Sequence, residues 1–320
     1  MPHLSRRAFL AALAASPLLS AAGHAQDEPL RIVYPYPAGG AGDAVGRIIA
    51  DQLQQRLARP VVVENKTGAG GRIGIQSVKD APPETTLLFT ATGPMTFQPH
   101  IIANVGYDPF ADFQPVSEAV RSEIAIAVGA NVPAHSIAEL VPWLKANPDK
   151  AVYGTPGVGT SAHFVGELLA QQSGAPLRHT PYRGTPPAMP DILAGRVPVF
   201  IAMTSELIEQ HKAGKLRVLA TAGAARSIFL PDVPTAMESG LDVQSPNGFA
   251  FFAPARMKPD LVARLEREIT ATLQLPAIRD RILAMGLEPV GSSAAELSRA
   301  QRAEFDRWRA AVKAIGYRVE

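Results

Sequence analysis

Largely apolar, strand-like runs at residues 30–34, 61–64 and 86–90 alternate with stretches whose apolar residues recur every three to four positions. Val45, Ile48, Ile49, Leu53 and Leu57 mark one such helical period over residues 43–57, and a shorter one covers residues 73–79. Short apolar runs suit strands buried on both faces, and helices between them suit crossovers, so the pattern predicts an α/β sheet. A further strand candidate, residues 116–128, is broken by polar positions. A second series opens with Ser136-Ile137-Ala138-Glu139, the spacing of a helix capping box. It continues with strand candidates at 151–154, 177–182, 197–202 and 216–221 and helices at 161–173, 187–194 and 206–213, the first of these closed by Gly174. Two such series in succession predict two α/β lobes of similar size. Beyond a strand candidate at 248–253 the chain turns helical. Leu261, Val262, Leu265, Ile269 and Leu273 form one stripe, residues 276–285 end at Gly286, and Ser293-Ala294-Ala295-Glu296 caps a last helix carrying Leu297, Phe305, Trp308, Val312 and Ile315. This tail is expected to pack back on the first lobe.

Residues 1–25 follow another pattern. Ser5-Arg6-Arg7-Ala8-Phe9-Leu10 opens an apolar run to Leu19, broken by Ser16 and Pro17 and ending in small residues before Ala25. This predicts a secretory signal of twin-arginine type, cleaved after Ala25, and a periplasmic destination. The alternative, an uncleaved anchor, needs a longer apolar span. Arg6 and Arg7 leave with the leader and no acidic residue does, so the remainder holds 29 basic and 29 acidic side chains. Without net charge there is no long-range field to attract nucleic acid or a membrane surface, and any anion must be recognised locally. The absence of cysteine removes thiol nucleophiles, thiolate ligands and disulfides together.

The search for catalytic motifs comes back nearly empty. His100, His135, His163, His179 and His211 show no metal-ligand spacing, and the chain has no GxSxG, SxxK or Walker A sequence, so neither metal nor cofactor is expected. Ser161 and His163 are neighbours, but two positions apart on a helix they face different ways. Gly157-Val158-Gly159-Thr160-Ser161-Ala162 fits GxGxxG/A, yet the next strand ends in Arg178-His179-Thr180-Pro181-Tyr182 with no acid for a ribose. What recurs instead is a glycine-rich helix start after a strand: 39–43, 68–71 and 157–161. Such a start exposes backbone N–H groups at the positive end of a helix dipole, and three of them could converge on one cleft beyond the strands' carboxyl ends.

The stretches "YPYPAGGAGDAVGRIIADQL", "PVVVENKTGAGGRIG", "YGTPGVGTSAHFVGELL", "YRGTPPAMPDILAGRV", "HKAGKLRVLA" and "FLPDVPTAMESGL" follow one another. In this order they resemble the motifs of the extracytoplasmic solute receptors of tripartite tricarboxylate transporters, the Bug (Bordetella uptake gene) family. The resemblance covers essentially the whole chain after residue 25. It implies the type II periplasmic binding protein fold, with lobe one at residues 26–125 and 247–320, lobe two at 126–246, and hinge strands near 120–128 and 244–248. It implies that Tyr36, Pro37, Ala38, Gly39, Gly40 and Asp43 in one loop and Gly68, Ala69, Gly70 and Gly71 in another pinch a ligand carboxylate. Thr92 joins them, and Thr160, Ser161, Ala162 and His163 face the rest of the ligand from lobe two. Arg183 pairs with a second carboxylate or stays solvated. Asp43 is expected to cap its helix rather than touch an anion, and Asp191 to hold local backbone or face the cleft; Tyr36, Phe97 and Tyr182 line the cleft or join the core. The chain departs from the family at Pro83-Glu84-Thr85-Thr86, at Asn247, where an aromatic is common, and at Ala202-Met203-Thr204, where an aspartate is frequent.

The expected function is therefore that of a monomeric, non-enzymatic receptor that captures a dicarboxylate, tricarboxylate, aromatic acid or acidic amino acid and delivers it to the membrane subunits of such a transporter. The alternatives are an orphan receptor signalling to a sensor kinase, or a hydrolase using Ser161 and His163.

Overall fold

A computed structural model describes residues 28–316; the leader and its cleavage site lie outside the described residues. The first apolar runs become parallel strands, β1 (Leu30–Tyr34) lying between β2 (Val61–Asn65) and β3 (Thr86–Ala91). α1 (Ala41–Leu57) and α2 (Arg72–Lys79) make the crossovers. α1 starts two residues earlier than its apolar period because Gly40, extended at φ −82° and ψ 167°, lets Ala41 and Gly42 into the first turn. Gly42 is needed there: a Cβ would collide with the Tyr34 hydroxyl and the Phe249 ring.

The interrupted stretch at 116–128 is one strand of 17 residues, β4 (Phe113–Gly129). Bulges between Pro115 and Ser117 and between Glu118 and Val120 shift its register against β9 (Pro246–Pro254) and break the alternation that the sequence shows. Its first part, to Glu123, pairs with β9 and with the short β10 (Glu288–Pro289). From Ile124 onward it pairs with β7 (Val199–Met203) and β8 (Leu216–Thr221). β5 (Val152–Thr155) and β6 (Arg178–Pro181) extend the second half in parallel with β7. The strand order is β2-β1-β3-β9-β4-β7-β5-β6.

At the change of partner the return chain crosses β4. The amide of Ala222 donates to the Ile124 carbonyl at 2.6 Å, and that of Ser245 to the Ala222 carbonyl at 2.7 Å. This waist carries both connections between the lobes. Around it the Ser122, Thr221 and Ser245 hydroxyls and the Oε1 atom of Glu123 are buried with no hydrogen-bond partner among the described residues.

Helices of lobe two are α3 (Ile137–Ala146), α4 (Ser161–Ser173), α5 (Thr185–Leu193) and α6 (Thr204–Lys212). α4 has the expected bounds, with Thr160 capping the His163 amide and Gly174 left-handed at φ 61°. The tail folds into α7 (Pro259–Leu273), α8 (Pro276–Ala284) and α9 (Ala294–Ile315), the last opening with a complete Ser293–Glu296 capping box. α9 packs on the first lobe, as its apolar stripe suggests, but also reaches the second. Trp308 lies 5.2 Å from Phe97 and 5.1 Å from Phe164 of α4, and those two rings are 4.9 Å apart. Phe97 is thus core, not cleft lining.

Candidate functional site

Each strand-to-helix turn at the meeting of the lobes ends on the first residue of a helix, and the N-caps of α1, α4, α5 and α6 are Gly40, Thr160, Gly184 and Met203. All four line a single cleft of about 60 Å³ between the lobes. Only Thr160 caps its helix with a side chain; at Gly40, Gly184 and Met203 no side chain caps the helix. A helix start carries roughly half a positive charge, so four aimed at one space form an anion-favouring field built from main chain alone. Tyr36, Pro94, Pro156, Met203 and Phe249 give the walls an apolar character, and among the described residues no lysine or arginine lines them. Burial pushes the Tyr36 hydroxyl up to about 12, although the Thr90 hydroxyl beside it opposes the shift, so it stays protonated and able to donate.

Six of the expected ligand-binding residues are brought together here: Tyr36, Pro37, Gly40, Thr160, Ser161 and Ala162. Gly39 stands next to them at φ +90°, a left-handed angle that favours glycine, and its amide donates to Asp43 Oδ2 at 3.1 Å. Asp43 is buried and its carboxylate also accepts from Arg47 at 3.0 Å and Asn65 at 2.9 Å. Burial raises its pKa, but the hydrogen bonds from Arg47, Asn65 and Gly39 outweigh that and hold it below the usual range. Asp43 therefore shapes the loop from behind, and the Gly39 N–H is already spent. Ala38 is exposed and outside the lining.

The second glycine turn is not in this cleft. Gly68, Ala69, Gly70 and Gly71 line an adjacent cavity of about 230 Å³ with Gly157, Tyr182 and Arg183. The reason is close approach: a Cβ on Gly70 would strike the Val158 carbonyl, so the turn lies flat against the lobe-two loop. Its glycines serve contact between the lobes, while Tyr36, Pro37, Pro156 and Gly184 border both spaces. Arg183 is exposed at that second rim. Thr92 lies behind the cleft, its hydroxyl donating to Asn247 Oδ1 at 3.1 Å, and Asn247 alone of the pair reaches the lining. Asp191 accepts from the Tyr182 hydroxyl at 2.8 Å and pairs with Arg196, so it braces the rim.

His163 turns away from Ser161. Its ring stacks on His179 at 3.8 Å, its Nδ1 accepts the Gly159 amide at 3.1 Å, and its Nε2 lies 3.5 Å from Glu167. Burial, reinforced by His163, lowers His179 to about 3, so that ring is neutral. Ser161 lines the cleft without an imidazole beside it, which removes the geometry of a serine nucleophile. Among the described residues no cluster of three His, Asp or Glu could hold a metal, and no helix is long and apolar enough to cross a membrane.

The charged residue of the lining was not anticipated from sequence. Glu206, in the first turn of α6, accepts a hydrogen bond from the Thr185 hydroxyl of α5 and faces α1, where a Cβ on Gly40 would come within 3.3 Å of Oε1. Burial raises its pKa to about 7 despite the bond from Thr185. A helix predicted to begin at 206 makes this glutamate an ordinary first-turn acid. The start at Thr204 puts it two residues into the helix, where its side chain reaches the cleft.

Two lobes joined by paired crossings, with a cleft at the strands' carboxyl ends, define a two-lobe binding protein. The profile of the family described as tripartite tricarboxylate transporter family receptor matches residues 45–317, and the chain belongs to that family. It is 30% identical over 296 residues to Protein BugT of Bordetella pertussis, covering 91% of this chain and 90% of that one. The structure of the periplasmic binding protein BugD superposes with a TM-score of 0.86 at 30% identity, covering 92% of this chain and 99% of that one. An R. palustris protein solved with adipate gives 0.85 at 27% identity, covering 91% and 98%.

Proposed function

We propose that this chain is an exported, monomeric solute receptor that closes two lobes around a small carboxylate and presents it to the membrane subunits of a tripartite tricarboxylate transporter. The observation that carries this reading is the convergence of four helix N-termini on one cleft that no lysine or arginine lines. The adipate-bound relative supports a carboxylate as the anion. A hydrogen bond to a charged group contributes roughly 1.5–3 kcal/mol net, so a handful of backbone donors, less the cost of association, reaches the roughly 8 kcal/mol of micromolar binding.

Lobe one is assigned to residues 26–125 and 247–320, lobe two to 126–246, and the hinge to the waist around Ile124, Ala222 and Ser245. Contacts made to both lobes exist only when they are shut, so ligand shifts the population toward the closed form. No catalytic step is assigned. The test is thermal denaturation of the protein without its leader against mono-, di- and tricarboxylates, aromatic acids and acidic amino acids. At least one is expected to raise Tm by several degrees at millimolar concentration; no shift with any of them rejects the reading.

A further inference from the structure

We propose that Glu206 selects ligands bearing a protonated amine beside the carboxylate, so that the preferred solute is a small amino acid rather than a plain organic acid. This rests on the cleft being a carboxylate site. Among the described residues Glu206 is the only charged side chain in the lining. Its Oε2 is fixed by the Thr185 hydroxyl, and its Oε1 faces Gly40 across the interlobe gap. From β1 and the turn after it the neutral Tyr34 and Tyr36 face it; Thr185 comes from α5 and the Gly40 backbone from α1. Asp43, which acts on Tyr34 together with Glu206, is occupied by Arg47, Asn65 and Gly39, and Arg47 points to Asp43 rather than into the cleft.

Glu206 thus stands with no cationic partner in a space whose helix starts attract anions. A plain dicarboxylate would bring like charge toward it, which disfavours either the ligand or the ionised glutamate. An amino acid resolves both halves: its carboxylate meets the helix N-termini, and its ammonium donates to Glu206 in a charge-assisted bond. The raised pKa of Glu206 has the same origin, a carboxylate enclosed without a cationic partner, and an ammonium would reverse it. A site built around a donor rejects analogues that lack it far more strongly than one built on apolar contact alone.

The experiment is isothermal titration at pH 8 with ligands matched in skeleton and differing only at C2: succinate, malate and aspartate; glutarate and glutamate; adipate and 2-aminoadipate; propionate and alanine. In at least one set the amine-bearing member is expected to bind tenfold or more tightly than the plain acid. Glu206→Gln should reduce that ratio below threefold, while Glu206→Asp, which keeps the charge, retains most of it. Plain acids binding the unmodified protein as tightly as their amino counterparts in every set, or a ratio that survives Glu206→Gln, overturns the proposal while leaving the carboxylate site standing. If no member of any set binds, both fall together.

Discussion

Asp43 and Glu206 are two carboxyl groups within one neighbourhood, and their surroundings drive them in opposite directions. Asp43 is held by donors from Gly39, Arg47 and Asn65 and titrates low, so its contribution to stability is present above the unfolded pKa and is lost as pH falls through the folded one. Asp43→Ala is expected to cost about 1–3 kcal/mol at pH 7, since it takes the acceptor from the Gly39 amide, the Arg47 guanidinium and the Asn65 amide together; urea denaturation measures it. Glu206 is the reverse case. Its folded pKa lies near 7 against an ordinary 4.5, so the native state binds the extra proton and stability declines as pH rises from about 4.5 to 7. The loss is on the order of 3 kcal/mol. Glu206→Gln should abolish that slope and leave the unliganded variant more stable than the parent at pH 8, with little difference at pH 4.5. Urea midpoints at both pH values decide it, and an unchanged slope would mean that the carboxyl is better solvated than its enclosure indicates.

At the scale of elements, glycines that look alike in sequence do different work. Gly39 needs its left-handed angle and has open space around the Cβ position, whereas Gly70 combines a φ of +64° with direct apposition to Val158 of the other lobe. Gly70→Val is therefore expected to prevent full closure, weakening binding at least 100-fold while secondary structure is kept; small-angle scattering should show no compaction at saturating ligand. The strand-and-helix series was legible because buried runs and helical periods are local properties: β1, β8 and α4 fall where the pattern puts them. The turns leading into α1 and α4 were legible for the same reason. Which turns share a cavity was not, because it depends on how the lobes meet. The helix starts of α5 and α6 carry no glycine-rich signature beyond Gly184, and Met203 gives no capping signal at all. Glu206 was hidden by a two-residue error in a helix boundary, enough to change the direction in which a side chain points.

For the whole molecule, closure is written into packing as well as into the cleft. The Phe97–Phe164–Trp308 cluster joins lobe one, lobe two and α9 at the first turn of α4. Trp308→Ala is expected to cost about 3–5 kcal/mol by leaving a large void at a buried indole, and to loosen the closed form as well, so that ligand affinity drops along with the denaturation midpoint. A drop in stability with affinity unchanged would confine the cluster to the fold alone. β4 sets a different constraint. Because β4 is laddered to β9 and β10 up to Glu123 and to β7 and β8 from Ile124 onward, one unbroken backbone runs through both halves, and any bend between them falls on a paired strand. A swing of one half against the other would be steered by hydrogen-bonded backbone instead of hanging on a slack tether.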